Sequence, residues 1–469
     1  MIQKQDVPRQ IKSKRTTPEK EWVATRLSMR WIFSLLWMGA LLEWGTTNRP
    51  YIHPFKLFAC NQTEFQEEIV QNNSFLPEQS PVNMSGEWWK DEELWKRSHI
   101  KVFTLITLQK SLAKIWFATL GSVEGSGVTL LSPFQLYGSL AAISLGSGGT
   151  TAQSFRDHLG LVESECIGDQ HSWIMRWQSR LLHHEVLTRQ EGSLSTSSWL
   201  IFRKGMQLRK SFRWELWWFH PEVQLMAANI NSSHSDEEAI NSYIRNASAG
   251  RVSNLVTGLS PNTNLVLASY IHFKGQWKTR SQCPGSEFED FFNDDESKVQ
   301  VSMMTWCGKL QYMIDPKYTL IQLPLNGTAY MMVIQPVQSD KLQEIESTLD
   351  VEGITLKTEI VKLVMPRIKW DSTYDVKELY RRMRLPDMLG GHANFSRLSN
   401  VQELTPDQVK QRVIFEVGED EEKLTPAGDV PFSNSTITTE IRIDKPFFFQ
   451  VHELRSKQLL FLGRVEKLH

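Results

Sequence analysis

The sequence is poor in cysteine and has almost no net charge. It has 4 cysteines in 469 residues, in neither C-x-x-C nor H-E-x-x-H spacing, so the usual zinc sites are disfavoured. Its 52 Lys and Arg balance 53 Asp and Glu, which leaves no overall field to attract nucleic acid or anionic membranes. We therefore expect no cofactor, no metal, and neither a nucleic-acid nor a membrane partner. Motifs for catalysis are also missing, so we expect no enzymatic activity.

Long hydrophobic runs are missing as well. The apolar run Trp31 to Leu42 has 12 residues, too few to span a bilayer. Basic residues precede it and Gly45-Thr46-Thr47 follow, which is typical of a signal peptide over residues 1–47 that is cleaved near Thr47. Residues 1–28 are interpreted as a long basic leader or as an upstream start that is not used, with Met29 as the true start. A buried helix or a membrane anchor is the alternative for the apolar run.

Glycosylation sequons point independently to secretion. Eight Asn-x-Ser/Thr sequons, each with a non-proline middle residue, occur at Asn61, Asn72, Asn83, Asn231, Asn246, Asn326, Asn394 and Asn434. We therefore expect an extracellular plasma glycoprotein. In that oxidising environment Cys60, Cys166, Cys283 and Cys307 can pair. Four cysteines allow three connectivities, and their spacing does not choose among them.

The chain changes character near residue 99. Residues 58–98 hold three of the sequons, two prolines and many polar residues, which predicts a glycosylated flexible linker. The apolar spacing of Ile100 to Leu120 predicts an amphipathic helix. Later runs such as "VLASYIHF", "TLIQLPL" and "AYMMVIQP" predict short strands, and "PFFFQVHEL" with "LLFLGRV" a closing strand pair. Helices and strands are mixed without regular alternation, so the fold class is α+β, with one domain over residues 99–469.

Several stretches of this domain resemble the serpin family in order and spacing. They include "SPFQLYGSLAAISLGSGGTTAQSF", "VLASYIHFKGQWKTR", "VKLVMPRIKWDSTYDVKELYRRMRL" and "DKPFFFQVHELRSKQLLFLGRV". The resemblance implies three β-sheets, eight or nine helices, a monomer, and an extended N-terminal tail. It also implies an exposed reactive loop between a strand around Val413 to Val417 and another around Glu440 to Ile443.

The predicted reactive loop is unsuited to the family's usual inhibition. An inhibitory serpin inserts the cleaved loop into its main sheet, which requires small residues at the hinge. Here Glu421 and Glu422 replace the family's Gly-Thr, and Leu424 and Pro426 stand in its run of alanines. Burying a carboxylate is costly, and proline deletes a hydrogen bond of a central strand, so we expect no inhibition. The alternative function is trapping of a serine protease through the loop near Ser435.

The stretch "NRPYIHPFKLF", residues 48–58, directly follows the predicted signal peptide. Its Leu57-Phe58 pair offers the large apolar groups that aspartic proteases favour on both sides of a scissile bond, and Pro54 favours an extended backbone. It resembles the peptide hormone carried by one branch of the serpin family. The resemblance implies that renin releases the decapeptide Asn48 to Leu57 by cutting between Leu57 and Phe58.

A second cut is implied by the same resemblance. A zinc dipeptidyl carboxypeptidase would cleave between Phe55 and Lys56 and leave a vasoactive octapeptide that regulates blood pressure and salt balance. The implied receptor-binding residues are Asn48, Arg49, Tyr51, Ile52, His53, Pro54 and Phe55. Pro50 and Lys56 depart from the branch's usual residues, Val and His.

The resemblance also implies a disulfide between Cys60 and Cys166 that ties the tail to the domain. For Cys283 and Cys307 two states stay open: a bond to each other, or reduced thiols.

Overall fold

Local sequence signals explain where several helices begin and end. The computed structural model describes residues 92–121, 127–161, 171–190, 192–230, 234–277, 287–325, 327–351, 353–418 and 438–469. Helix α2 begins after Ser132, whose hydroxyl accepts a hydrogen bond from the Gln135 amide at 3.3 Å, and Pro133 occupies its first turn. Helix α3 ends at Gly160, whose φ of 64° is the left-handed conformation that glycine adopts without strain.

The described residues form nine α-helices. They are α1 (Glu92–Gly121), α2 (Pro133–Ser144), α3 (Gly149–Leu159), α4 (His171–Arg189), α5 (Lys210–Phe219), α6 (His234–Ala247), α7 (Leu342–Thr348), α8 (Val376–Arg382) and α9 (Pro386–Leu389). The predicted helix over Ile100 to Leu120 is present, and it begins earlier, at Glu92. The first residues of the helix are mostly polar, so apolar spacing does not indicate this extension.

The described ranges also contain fourteen strands. They are β1 (Val128–Leu131), β2 (Leu194–Arg203), β3 (Val223–Ala228), β4 (Leu265–Gln276), β5 (Phe288–Phe292), β6 (Lys298–Ile314), β7 (Tyr318–Pro324), β8 (Ala329–Pro336), β9 (Lys357–Pro366), β10 (Ile368–Asp375), β11 (Gln408–Gly418), β12 (Thr439–Arg442), β13 (Phe447–Glu453) and β14 (Leu459–Val465). The predicted closing pair is confirmed, because β13 and β14 pair antiparallel.

Two hydrogen-bonded sheets organise these strands. A five-stranded sheet has the order β10-β11-β4-β2-β3, and a nine-stranded sheet has the order β1-β14-β13-β8-β7-β6-β9-β12, with β5 paired to β6. The long strand β6 pairs with β7 near its end and with β9 over most of its length. Because β6 pairs with both β7 and β9, hydrogen bonds join two of the three predicted sheets into this nine-stranded sheet.

The core lies between the five-stranded sheet, the nine-stranded sheet and helices α1 and α2. Phe273 and Phe415 of the five-stranded sheet stack with ring centroids 5.5 Å apart, and Phe415 also stacks on Phe449 of β13 at 5.1 Å. All three side chains are fully or almost fully buried. Aromatic packing of this kind fixes the two sheets against each other and so sets the position of the strands that bracket the predicted loop.

Candidate functional site

The described ranges include only some of the predicted site residues. Outside the described ranges lie the decapeptide and both of its cleavage sites, Cys60, Cys166, Cys283, the hinge residues Glu421, Glu422, Leu424 and Pro426, and the sequons at Asn61, Asn72, Asn83, Asn231, Asn326 and Asn434. Within them lie Asn246, Asn394, Cys307 and the two strands that bracket the loop. Cys307 is buried in β6 and disulfide-bonded, which excludes the reduced state for this residue.

Strands β11 and β4 form the central pair of the five-stranded sheet. They run parallel and pair without interruption from Gln408 with Val266 to Gly418 with Gln276. The chain enters the predicted loop directly after Gly418. The junction between β4 and β11 is here called the seam. The sheet is closed there, because the two strands pair directly.

The outer face of this seam is covered by residues 234–259, here called the cover segment. Ile240 and Ile244 of α6 and Val256 beyond it are buried in one apolar cluster with Trp199 of β2 and Tyr270 of β4. Ile414 of β11 belongs to the same cluster. Because the cluster includes residues from both sides of the seam, opening the sheet would expose apolar surface.

Hydrogen bonds hold the cover segment in place. Asn241 is buried and bonds both backbone groups of Val256, at 2.7 Å to its carbonyl and 3.0 Å from its amide. From β11, Gln408 donates to the Thr257 carbonyl at 2.8 Å. Arg412, also on β11, donates to the Ser253 carbonyl at 2.7 Å and to both carboxylate oxygens of Asp371 on β10, at 2.9 and 2.5 Å. One guanidinium thus joins the cover segment to two neighbouring strands.

One ionisable pair spans the seam on the same face. His272 of β4 lies 3.8 Å from the carboxylate of Glu416 on β11, measured from Nε2 to Oε1. Burial lowers the pKa of His272 below its usual value, while the charge of Glu416 acts in the opposite direction. His272 is therefore predominantly neutral at neutral pH, and the pair gives little Coulomb attraction there.

The inner face of the seam is polar at its centre. Ser269 of β4 and Gln411 of β11 are buried side by side in the register, and the Tyr374 hydroxyl of β10 donates to the Gln411 side chain. Nearby, Gln135 of α2 donates to the Ser198 hydroxyl of β2 at 2.8 Å. A strand entering the seam would have to satisfy these polar groups as well as the backbone groups it separates.

The chain returns from the predicted loop at the edge of the other sheet. The Thr438 amide donates to the Ile360 carbonyl at 3.0 Å, and β12 then pairs parallel with β9. The Tyr312 hydroxyl lies 3.1 Å from the Thr439 hydroxyl and donates to Glu359 at 2.8 Å. The predicted strands around Val413 to Val417 and Glu440 to Ile443 are thus confirmed, and the two ends of the loop are fixed in different sheets.

Two of the sequons can be placed. Asn246 is exposed near the end of α6, on the cover segment. Asn394 is also exposed, but its carbonyl oxygen Oδ1 accepts a hydrogen bond from the Ser396 amide at 2.9 Å, and its backbone bonds Gly148 and Thr151 at the start of α3. Both residues are accessible, while only Asn394 also helps to hold a turn.

Within the described ranges, no group of three or more His, Cys, Asp or Glu side chains could hold a metal ion. In the same ranges no helix is both long enough and apolar enough to cross a membrane.

Comparison with known families decides what this arrangement is. The model of the serpin family, described as serine protease inhibitor, matches residues 108–468. This chain belongs to the serpin family. Its five-stranded sheet, with β4 and β11 paired directly, and its two anchored loop ends are therefore those of a serpin with a closed sheet.

Individual relatives refine the comparison. Angiotensinogen of Bos taurus is 26% identical to this serpin, in an alignment that covers 91% of this chain and 96% of that protein. Protein Z-dependent protease inhibitor of Rattus norvegicus is 24% identical and covers 80% of this chain and 86% of the inhibitor. The crystal structure of the mouse protein Z-dependent protease inhibitor matches with a TM-score of 0.67 at 24% identity over 81% of this chain and all of the other. That structural likeness shows the fold.

The bonds across the seam were not predicted from the sequence. Asn241 and Gln408 resemble many other polar residues of the chain and give no local signal. Arg412 gives a weak one, since it is a cation directly before the largely apolar stretch "VIFEV". Its two partners, Asp371 and Ser253, are remote in sequence from it and from each other.

Proposed function

We propose that this serpin is a secreted prohormone resembling angiotensinogen. The observation that carries the proposal is the stretch "NRPYIHPFKLF" at residues 48–58, ahead of a serpin domain and behind a predicted signal peptide. Renin would release the decapeptide, angiotensin-converting enzyme would remove Lys56-Leu57, and the octapeptide would act on angiotensin receptors to regulate blood pressure. The serpin domain is then a carrier of the peptide and performs no catalysis.

The extent of the sequence similarity supports this proposal. The serpin model begins at residue 108, whereas the alignment with bovine angiotensinogen covers 91% of the chain. That alignment must therefore include many residues outside the serpin domain. The inhibitor from Rattus norvegicus, by contrast, aligns with 80% of the chain.

The chemistry of the peptide supports renin as the protease. Aspartic proteases bind an extended segment through backbone hydrogen bonds and place alternate side chains in pockets. Leu57 and Phe58 supply bulky apolar groups at the scissile bond, and Pro54 restricts itself and His53 to extended conformations. This restriction reduces the conformational entropy lost on binding.

The decisive experiment is incubation of the secreted protein with renin, followed by mass spectrometry. We expect a product with the mass of Asn48 to Leu57 from the unaltered protein, and no release of the corresponding ten-residue peptide, at its own altered mass, from the variant L57D/F58D. The matched control is F288D, because Phe288 is an apolar residue of the serpin domain that is 60% exposed. Failure of the unaltered protein to yield the decapeptide would refute the proposal, and so would unchanged release from L57D/F58D.

Protease inhibition is the second candidate function. Two observations favour it: β4 and β11 pair directly in a closed sheet, and the protein Z-dependent protease inhibitors are relatives. Glu421, Glu422 and Pro426 oppose it. Mixing the protein with trypsin-like and elastase-like proteases and running a denaturing gel tests it, since an inhibitor gives a covalent complex and a substrate gives only fragments.

A further inference from the structure

The buried cysteine of strand β6 has a disulfide partner outside the described ranges. Cys307 is 1% exposed and disulfide-bonded, and none of the other cysteines lies within those ranges. Its partner is therefore Cys60, Cys166 or Cys283. Sequence spacing alone does not choose among the three, whereas the pairing of the strands beside Cys307 does.

Strands β5 and β6 pair antiparallel with a register that continues past the start of β5. Phe288 lies opposite Ser302 in the first pair of this hairpin. One residue earlier, the Met303 amide donates to the Glu287 carbonyl at 2.8 Å, so these two residues still face each other. Glu287 thus fixes against β6 the chain that leads back to Cys283.

Cys283 and Cys307 are equally distant from that last pair. Cys283 precedes Glu287 by four residues, and Cys307 follows Met303 by four. In an antiparallel register they therefore face each other at a hydrogen-bonded position, where Cα atoms are about 5.5 Å apart. Disulfides join Cα atoms that are about 4.4–6.8 Å apart. In the same register the nitrogen of Pro284 faces away from β6, so its missing N–H costs no hydrogen bond to that strand.

The other end of the connection between β4 and β5, residues 278–286, is also held close to β6. Trp277, the residue directly before the connection, forms an antiparallel bridge with Leu325. Leu325 directly follows β7, and β7 pairs with β6. Both flanks of the connection are therefore anchored at β6 or at its neighbouring strand, and Cys283 lies between these two anchors.

The two other cysteines have no such placement. Cys166 lies between α3 and α4, and these helices pack chiefly against α1, α2, α5 and α9. Cys60 precedes α1, and no strand pairing of the described residues reaches it. Hydrogen bonds of described residues thus lead to Cys283 as the partner of Cys307.

We propose that Cys283 and Cys307 form a disulfide, here called the connection disulfide, which fastens the connection between β4 and β5 to β6. On oxidation the two thiols lose two protons and two electrons. A disulfide oxidant of the secretory pathway accepts both protons and both electrons and becomes two thiols. Cys60 and Cys166 can then bond only to each other within the chain. The proposal does not depend on the hormone function.

The connection disulfide acts at one end of the seam. Gly418, the last residue of β11, pairs with Gln276, the last residue of β4, and these two residues mark the loop end of the seam. The chain passes from Gln276 into the connection that the disulfide holds. Separation of β4 from β11 at this end would have to move a segment that is covalently bound to β6. The bond therefore stabilises the closed sheet where the predicted loop begins.

Peptide mapping of the secreted protein without reduction tests the pairing and needs no variant. After free thiols are alkylated, trypsin places Cys283 in the peptide 281–298 and Cys307 in the peptide 299–309, each with a single cysteine. We expect these peptides as one linked species that separates into both on reduction. Linkage of 299–309 to any other cysteine peptide, or its recovery in alkylated form, would overturn the proposal.

Hydrogen exchange of the full-length protein tests the effect on the seam. In C283A/C307A we expect amides at the loop end of the seam to exchange several-fold faster, while those at the opposite end stay unchanged. The matched control C60A/C166A removes the other two cysteines and should leave both ends unchanged. Unaltered exchange in C283A/C307A would refute the stabilising role of the bond, and so would equal acceleration at both ends of the seam.

Discussion

Single residues hold the closed sheet together, and Arg412 is the clearest case. Its guanidinium bonds Asp371 and the Ser253 carbonyl, so its removal frees three hydrogen-bond partners at once. We expect R412A to lower the free energy of unfolding by about 1–3 kcal/mol, as measured by urea denaturation. The control R381A removes an exposed pair with Glu378 and should change stability by about 0.5 kcal/mol or less. Equal effects of the two substitutions would refute the role assigned to Arg412.

Another single residue makes stability depend on pH. Burial raises the pKa of Glu346 on α7 to about 7, although the nearby guanidinium of Arg464 opposes this. The folded protein therefore binds this proton more tightly than the unfolded chain, whose Glu has a pKa near 4.5. The resulting stabilisation is complete below about pH 4.5 and is lost as the pH rises through about 7.

The variant E346Q isolates that effect. Glutamine keeps an acceptor for Arg464 and cannot ionise, and Glu466, with a carboxylate oxygen 3.5 Å from Arg464 Nε, remains as the partner carboxylate. Urea unfolding at pH 5, 6 and 7.5 should show that E346Q loses less stability than the unaltered protein as the pH rises. If both proteins have the same pH dependence, Glu346 does not titrate in this range.

At the scale of elements, helix α6 and the turn before Ser396 each carry a predicted glycosylation site, and they differ in whether the asparagine side chain is already hydrogen-bonded. Asn246 is exposed on α6 and no structural hydrogen bond uses its side chain. Asn394 lies in the turn that contacts the start of α3, where a Cβ added to Gly149 would come within 3.4 Å of Asn394 Nδ2. We expect higher occupancy at Asn246 than at Asn394. Glycopeptide mapping of the secreted protein measures both, and the reverse order would contradict the prediction.

The elements themselves were largely predictable from the sequence, and their mutual arrangement was not. Short, nearly continuous apolar runs predicted β4, β7, β8, β13 and β14, because strands that are buried on both faces are apolar along most of their length. The parallel pairing of β11 with β4 joins residues more than a hundred positions apart, and no local pattern in the sequence indicates it.

The whole molecule behaves as an inhibitor only if the closed sheet can accept the loop. In the unaltered protein, Glu421, Glu422 and Pro426 would have to enter the seam between β4 and β11. We expect that proteolytic cleavage of the loop leaves the midpoint of thermal unfolding unchanged. In E421G/E422T/P426A the same cleavage should raise the midpoint, because the loop can then pair with both strands. A rise in the unaltered protein would contradict the expected lack of loop insertion and favour inhibition.

Release of the peptide also involves the whole molecule if Cys60 and Cys166 are bonded, as the resemblance implies. Such a bond closes a loop of roughly a hundred residues next to the Leu57-Phe58 bond, and so restricts the conformations of the tail before a protease binds it. A restricted segment loses less entropy in the cleft, so the effect should appear in KM more than in kcat.

We therefore expect renin to cleave C60A/C166A with a several-fold higher KM and a similar kcat, measured by mass spectrometry of the decapeptide. Removing both cysteines leaves no unpaired thiol that could exchange with the disulfide of Cys307. The single variant C60A, which leaves Cys166 free, shows whether such exchange matters. Unchanged kinetics in C60A/C166A would mean that the bond only stabilises the fold, and in that case stability to urea should fall while peptide release stays the same.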